Sequence, residues 1–285
     1  MKTIVKNILN QAGYQVSKYY KYLVPIDTYK ELYGATNREQ NLFLNIGAGG
    51  EFRHPLWTNV DVKSDWYKNN QIDIHYNLTE CSPLPLPDNS AKIIYTSHTI
   101  EHVQNKHVAN LFNEAYRVLA PGGLLRVTAP NIDLDYRAYV NNDTRHYYWC
   151  YMEKAWQQSD REYFRGASIA QLFLHHFATE ISTLHPVDSG NKITDEDLKQ
   201  IFANKPYEEA LDYCISKCSL ETQNKFMGNH INWWNPDKAR KFLANAGFNK
   251  IEDSGFGQSE SPVLRDINYF DNTHPRISFY IEATK

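Results

Sequence analysis

The chain has 285 residues, 42% of them apolar and 22% charged, which excludes a disordered polar tract and allows one large domain or a core with a sizeable insertion. Its formal net charge of −3, with no run of five or six basic residues, excludes a protein built mainly to grip nucleic-acid backbone. No stretch approaches the roughly 18 uninterrupted apolar residues of a membrane span. The opening MKTIVKNILNQAGYQ has no signal-type apolar core, so a cytoplasmic protein without stable membrane insertion is expected.

Residues 1–40 read as helical: Ile4, Val5, Ile8, Leu9, Ala12 and Val16 follow a 3–4 spacing, with Lys2, Lys6 and Lys18 off the stripe. NLFLNIGAGG then reads as a buried strand, Leu42 to Ile46, running into a glycine turn at Gly47, Gly49 and Gly50. WTNVDV is a second strand ending near Asp61, QIDIHYNL a third ending near Asn77, and AKIIYTS a fourth. The segment NKHVANLFNEAYRVLAPGG is a helix stopping at Pro121-Gly122-Gly123, and LLRVTAP is a fifth strand. Residues 132–228 break the rhythm; polar, aromatic and helix-like, they read as a cap inserted between a cofactor-binding half at 41–131 and a closing part at 229–285. NPDKARKFLANAGF is a helix with Asn235 as cap, Pro236 in its first turn and Gly247 as stop, and KIEDSGFG and RISFYIEAT are the last two strands. The alternation is that of an open α/β sheet.

Glycines after a buried strand let backbone approach a ligand closely, and an acid ending the next strand, Asp61, can accept from ribose hydroxyls. A dinucleotide unit wants a third glycine and an acid about 20 residues on. Here Phe52 stands where that glycine would be and only ten residues separate Gly50 from Asp61, so NAD is disfavoured.

The ordered set LFLNIGAGG…TNVDV…YNL…PLPLPDNSAKIIYTSHTIEHV…RVLAPGGLLRVTAPN resembles the class I S-adenosylmethionine-dependent methyltransferases, in particular a bacterial branch associated with cell-surface polysaccharide synthesis. The tail, GNHINWW…LANAGF…SGFGQSESPVLRD…FDNTHPRISFYIEATK, is similar to the ending of that branch. The resemblance implies a Rossmann-like seven-stranded methyltransferase sheet with its last strand antiparallel, N-terminal helices and a helical cap insertion. It also implies S-adenosyl-L-methionine as cofactor. The methionine moiety would lie over Gly47, Ala48 and Gly49, the ribose on Asp61 and the adenine beside Asn77 and Leu78, with Ser97 a further contact. The family more often has Asp where Asn77 stands, and the segment before Asp61 is unusually short.

SHTIEHV, Ser97 to Val103, places His98, Glu101 and His102 at i, i+3 and i+4, one face of a helical turn. Three readings stand beside one another. A polar structural turn is the first. A zinc peptidase is the second, since H-x-x-E-H is the inverzincin pattern; that motif belongs on a long helix, whereas here a strand leads straight into it. The third is a metal site for methyl transfer. The order resembles the small-RNA 3′-terminal 2′-O-methyltransferases, whose E-x-x-E-H turn holds a divalent ion with a further His before an aromatic and a helix. NHINWW occupies that place here, so the resemblance implies His98, Glu101, His102 and His230 as metal ligands, with His98 in place of a Glu. Three imidazoles and one carboxylate favour Mn, Fe or Zn over Mg.

The expectation is therefore an S-adenosylmethionine-dependent O-methyltransferase, metal-assisted, acting on a sugar hydroxyl of a nucleotide sugar or surface glycan. His102 and His230 are its catalytic residues, as metal ligands or as general base. The alternatives are a metal-independent methyltransferase on a small phenol or other acceptor, and a catalytically inactive binding protein with the same fold. The tyrosine-rich SKYYKYLVP and RHYYWCYMEKAW hint at sugar contact, and Arg137, Arg145 and Arg165 could hold a phosphate or uronate. His175 and His176 could face substrate, Trp233 and Trp234 could form a stacking floor or pack the last helix, and His185 reads as a loop residue. The four cysteines, Cys81, Cys150, Cys214 and Cys218, follow no zinc or disulfide spacing. Nucleic acid is not an expected partner; a homo-oligomer is permitted.

Overall fold

A computed structural model of the chain describes residues 21–63, 72–147, 164, 166–187 and 190–285. The helix expected around Ile4 to Val16 lies outside the described residues, as do Cys150 and Arg165. Among the described residues no helix is long and apolar enough to cross a membrane.

Seven strands form one sheet: β1 (Phe43–Ile46), β2 (Thr58–Asp61), β3 (Ile74–His75), β4 (Ala91–Ser97), β5 (Leu119–Pro130), β6 (Lys250–Asp253) and β7 (Ser278–Thr284). Their spatial order is β3-β2-β1-β4-β5-β7-β6. The first five are parallel, and β7 runs antiparallel to both β5 and β6. The expected sheet, including its antiparallel last strand, is the one observed.

Alternation along the central strands sorts side chains onto two faces. Leu44, Ile46, Ile94, Leu125, Val127 and Ile281 point to one face, where they pack with Val108, Leu111, Phe112 and Ala115 of α2 (Asn105–Val118) and with the last helix. Phe43, Ile93, Tyr95 and Leu124 point to the other. That face is covered by Tyr29 of α1 (Ile26–Tyr33), by Leu56 and Trp57, and by Val263, Leu264 and Phe270 of the C-terminal loop. The β1–β2 connection is the short one noted in the sequence; it crosses without a helix, and buried Leu56 and Trp57 do the packing a crossover helix otherwise supplies.

Two boundaries differ from expectation. Helix α2 ends at Val118, and Pro121-Gly122-Gly123 belongs to β5, whose register against β4 shifts between Ala91 and Ile93. A β-carbon on Gly123 would lie 2.8 Å from the Ala120 carbonyl, so the irregular strand start needs glycine there.

The insertion contains α3 (Ile132–Val140), α4 (Ile169–Phe177), α5 (Asp195–Asn204), α6 (Tyr207–Ile215) and α7 (Leu220–Lys225). It has its own core around Phe173, Phe177, Leu198 and Leu211, with Tyr136, Tyr139, Phe202 and Tyr207 in ring contact beside it. The chain returns through Trp233, which packs in that core, and Trp234, which packs under the sheet. Both indoles are buried, so they join the two bodies rather than floor a groove. The last helix, α8 (Pro236–Asn245), starts where predicted: the Asn235 side chain accepts from the Lys238 amide.

Candidate active site

The carboxyl ends of β4, β1, β2 and β3 lie side by side and form one wall of a cavity of ≈ 280 Å³, where Gly47, Gly49, Asp61, Asn77, Leu78 and His102 lie. The strand order reverses between β1 and β4, the place where open α/β sheets bind ligands. Of the expected cofactor contacts, Ala48 and Ser97 do not line this cavity. Ser97 is instead paired with Thr128 within the sheet.

Gly47 and Gly49 both have positive φ, 72° and 63°. A β-carbon on Gly47 would lie 2.1 Å from Thr99 Oγ1, whereas one on Gly49 meets nothing within 4 Å. The first glycine is thus dictated by packing, and the second leaves open space. Asp61 closes the turn: its Oδ2 accepts from the Gly49 amide at 2.9 Å and its Oδ1 from Val62 at 2.7 Å. A carboxylate oxygen offers more than one acceptor direction, so Asp61 can also meet a ligand hydroxyl from the cavity side. Asn77 lines the cavity beside Leu78. Its Oδ1 already accepts from the amide and the hydroxyl of Thr79, and its Nδ2 donates to Glu80, so the side chain caps a short 3₁₀ turn instead of offering a free oxygen to adenine.

SHTIEHV is not one α-helical turn. Only Ile100–His102 is helical, as a 3₁₀ turn, and His98 precedes it with φ 48°. The turn is held from the C-terminal segment by backbone and indole bonds: Ile231 donates to the Glu101 carbonyl at 2.9 Å, and Trp234 Nε1 to the Ile100 carbonyl at 3.0 Å. This segment brings His230 against the turn, its ring 4.7 Å from that of His102. One ligand atom from each of Glu101, His102 and His230 lies within 4.8 Å of the other two.

The tautomers follow from the partners. His102 Nδ1 lies 2.9 Å from the Asn229 carbonyl and His230 Nδ1 lies 2.5 Å from the His176 carbonyl. A carbonyl only accepts, so each Nδ1 carries the proton and each Nε2 is a bare lone pair in the neutral ring. His98 is turned the other way: Nε2 lies 2.8 Å from Ser278 Oγ, which itself donates to the His274 carbonyl. Its Nδ1 is then the bare nitrogen, 3.4 Å from Glu101 Oε1. His98 stands outside the tight trio of Glu101, His102 and His230 but beside Glu101.

Glu101 is 2% exposed, and among the described residues neither of its oxygens has a hydrogen-bond partner. Burial pushes its carboxyl up to about 8, and its own backbone amide, outside hydrogen-bonding geometry, pulls weakly the other way. Burial also keeps His102 below the usual imidazole value; His98 and His230 lie well below it, through burial and then the neighbouring imidazoles. A buried carboxyl oxygen between the imidazole nitrogens of His98 and His102 fits a cation. Carbonyls holding the Nδ1–H of two of the imidazoles are the usual outer support of such a site.

Behind His230 lies a group the sequence did not disclose. Asp135 of α3 is buried, with His146 Nε2 at 2.6 Å and His176 Nδ1 at 2.7 Å. Burial alone would raise its carboxyl; His176 and His146 outweigh it and hold it below the usual range. His185, expected in a loop, is buried against Asn229, whose carbonyl orients His102. Arg137 and Arg145 are exposed.

Residues 56–127 match the family described as a methyltransferase domain. Over 62 residues the chain is 42% identical to a protein of Mycolicibacterium smegmatis named "Probable S-adenosylmethionine-dependent methyltransferase", which is 21% of this chain and 22% of that one, so the chain spans about a fifth of that relative. Among solved structures it is similar to a SAM dependent methyltransferase from Archaeoglobus fulgidus, with TM-score 0.38 and 13% identity over 100% of this chain and 95% of that one. It is also similar to an S-adenosylmethionine dependent methyltransferase from Mesorhizobium loti, with TM-score 0.36 and 14% identity over 85% and 90% of the two chains. The family match covers β2, β3 and β4 of that cavity wall, and the seven-stranded sheet has the α/β, Rossmann-like fold of the S-adenosylmethionine-dependent methyltransferases.

Proposed function

We propose that this chain is a cytoplasmic, metal-assisted O-methyltransferase that transfers a methyl group from S-adenosylmethionine to a hydroxyl of a sugar, in a nucleotide sugar or a surface glycan. The observation that carries the metal and the oxygen acceptor is Glu101, a buried carboxyl group without a hydrogen-bond partner among the described residues, facing the bare nitrogens of His98 and His102 beside the cofactor cavity, with His230 completing the cluster. The choice of a sugar rests on the resemblance to the polysaccharide-associated branch.

In this reading the glycine turn and Asp61 seat the methionine and ribose portions. Glu101, His102 and His230 hold a divalent ion, with His98 beside them. Such an ion lowers the pKa of an acceptor hydroxyl and fixes its position. The residues do the rest. The Asn229 and His176 carbonyls keep both Nε2 lone pairs unprotonated and aimed for the ion, and His98 Nδ1, outside that trio and on a residue lining the cavity, can take the hydroxyl proton. Thr99 packs closely on Gly47, so the glycine turn stays filled from behind. As the acceptor oxygen bonds to the methyl carbon, the carbon–sulfur bond breaks and its electron pair stays on sulfur, leaving S-adenosylhomocysteine.

The test is elemental analysis of protein purified without chelator or metal-affinity resin, alongside methyl transfer from labelled cofactor to a panel of glycans and nucleotide sugars. Near-stoichiometric Mn, Fe or Zn in the wild type, lost in His102→Ala, together with labelled product, supports the reading. Cofactor binding without metal, even after soaking with those ions, sinks the metal assistance and leaves His102 Nε2 as the base.

A further inference from the structure

The insertion reaches the cofactor cavity. Gln223 of its α7 and the following Met227 and Gly228 line the cavity together with the strand-end residues. Gln223 is 6% exposed, and its Oε1 has no hydrogen-bond partner among the described residues. Its Nε2 is committed, donating to the Met227 carbonyl at 3.1 Å. That bond fixes which end of the amide is left over: the oxygen. A buried amide oxygen without a donor is disfavoured, and native structures rarely leave one.

The helix that presents Gln223 is anchored. Glu180, itself buried, accepts from the Ser219 amide at 2.6 Å and from the Thr222 hydroxyl at 3.0 Å. Two residues past Met227, Asn229 orients His102, so this segment and the catalytic turn are mechanically one piece. The strand-end wall lacks the acceptor that the resemblance led one to expect, because both lone pairs of Asn77 Oδ1 are taken by Thr79.

We infer that Gln223 is a cofactor-binding residue supplied by the insertion, its Oε1 accepting a hydrogen bond from a nitrogen donor of S-adenosylmethionine. This rests on the cofactor reading above. Two nitrogens of the cofactor carry N–H donors, the adenine amino group and the α-ammonium, and the experiment separates them.

The experiment is calorimetric titration of the full chain with S-adenosylhomocysteine, for wild type, Gln223→Leu and Gln223→Glu. Gln223→Leu should weaken binding about tenfold. Gln223→Glu loses the tie to Met227 but keeps an acceptor, so it should hold affinity within about threefold; this separates the acceptor from a merely structural role. The same titrations with S-inosylhomocysteine, which lacks the adenine amino group, and with the analogue lacking the α-amino group identify the donor. The analogue without the true donor binds Gln223→Leu and wild type equally. Unchanged affinity in Gln223→Leu overturns the inference, as does an equal loss for all three ligands or an equal loss in Gln223→Glu. No binding of S-adenosylhomocysteine to the wild type would sink the cofactor reading itself, and this inference with it.

Discussion

The Nδ1–H of His102 donates to the backbone carbonyl of Asn229 at 2.9 Å, a contact between residues 127 apart in the chain. It decides which nitrogen of the imidazole is bare, and it ties the strand-end turn to the segment that carries His230. His102→Ala and His230→Ala should each lower methyl transfer by about 100-fold or more, the span of losing a positioned base or ligand. Affinity for S-adenosylhomocysteine should stay within about threefold in His230→Ala, which does not line the cofactor cavity. Full activity in both variants sinks the assignment of this turn as the reaction centre.

The glycine turn offers a graded test. In Gly47→Ala the new β-carbon would collide with Thr99 and adopt a left-handed backbone, so chemical denaturation should show a loss of roughly 2–5 kcal/mol. Gly49→Ala meets open space and keeps only the backbone penalty, about 1 kcal/mol. Its larger effect should be on cofactor affinity, because the added methyl projects where no protein atom stands. Equal stability losses in the two variants would contradict this account.

On the far face of the sheet, Arg126 is fully buried and forks onto Asp271 at 3.0 and 2.6 Å, with Glu282 at 2.8 Å. Arg126→Met strands two buried carboxylates and should cost about 3–5 kcal/mol. Neutralising the partners as well, with Asp271→Asn and Glu282→Gln, should recover part of that loss. If the triple variant is less stable than the single one, the network stabilises the fold beyond charge compensation.

His54 supplies a pH dependence remote from the active site. It sits among Tyr22, Tyr29 and Tyr269, and burial lowers its pKa from 6.5 to about 4. The unfolded chain binds the proton more tightly, so this contribution is intact above pH 6.5 and is lost as pH falls through 6.5 towards 4. The full loss is about 3 kcal/mol. His54→Phe should flatten the stability curve over that window relative to wild type, as measured by denaturant midpoints at each pH.

The sheet was legible because its information is local. Buried runs such as FLNI and KIIYTS, the glycine turn and the Asn235-Pro236 helix start each announce themselves within a few residues. The candidate site was legible only in part. His98, Glu101 and His102 advertise themselves by spacing, but spacing assumes an α-helix, and the positive φ of His98 turns that ring towards Ser278. Asn77 enters as a cofactor contact through the family resemblance alone, which does not register that the Thr79 amide and hydroxyl two residues on bond its oxygen. Asp135 and Gln223 carry no pattern at all. Their roles come from the packing of the insertion against the catalytic turn, contacts of long sequence separation that no window along the chain contains.

Asp135 yields the most discriminating prediction about the site. It lines a small cavity with Glu101 and His230, and its carboxylate holds His176, whose carbonyl fixes the protonated nitrogen of His230. Asp135→Asn preserves size and removes the charge that two imidazoles share, so the end of α4 should lose its fixed position while the cofactor cavity keeps its lining. Metal affinity should then fall about 10- to 100-fold, the usual effect of disturbing groups that orient a ligand from behind. Affinity for S-adenosylhomocysteine should not change. Competition of Mn and Zn against a chelator reads the first quantity and calorimetry the second. A loss confined to metal binding places Asp135 behind the site as a positioning residue. Undiminished metal affinity would mean that His230 is held by the Thr179 contacts alone, through its own amide and carbonyl.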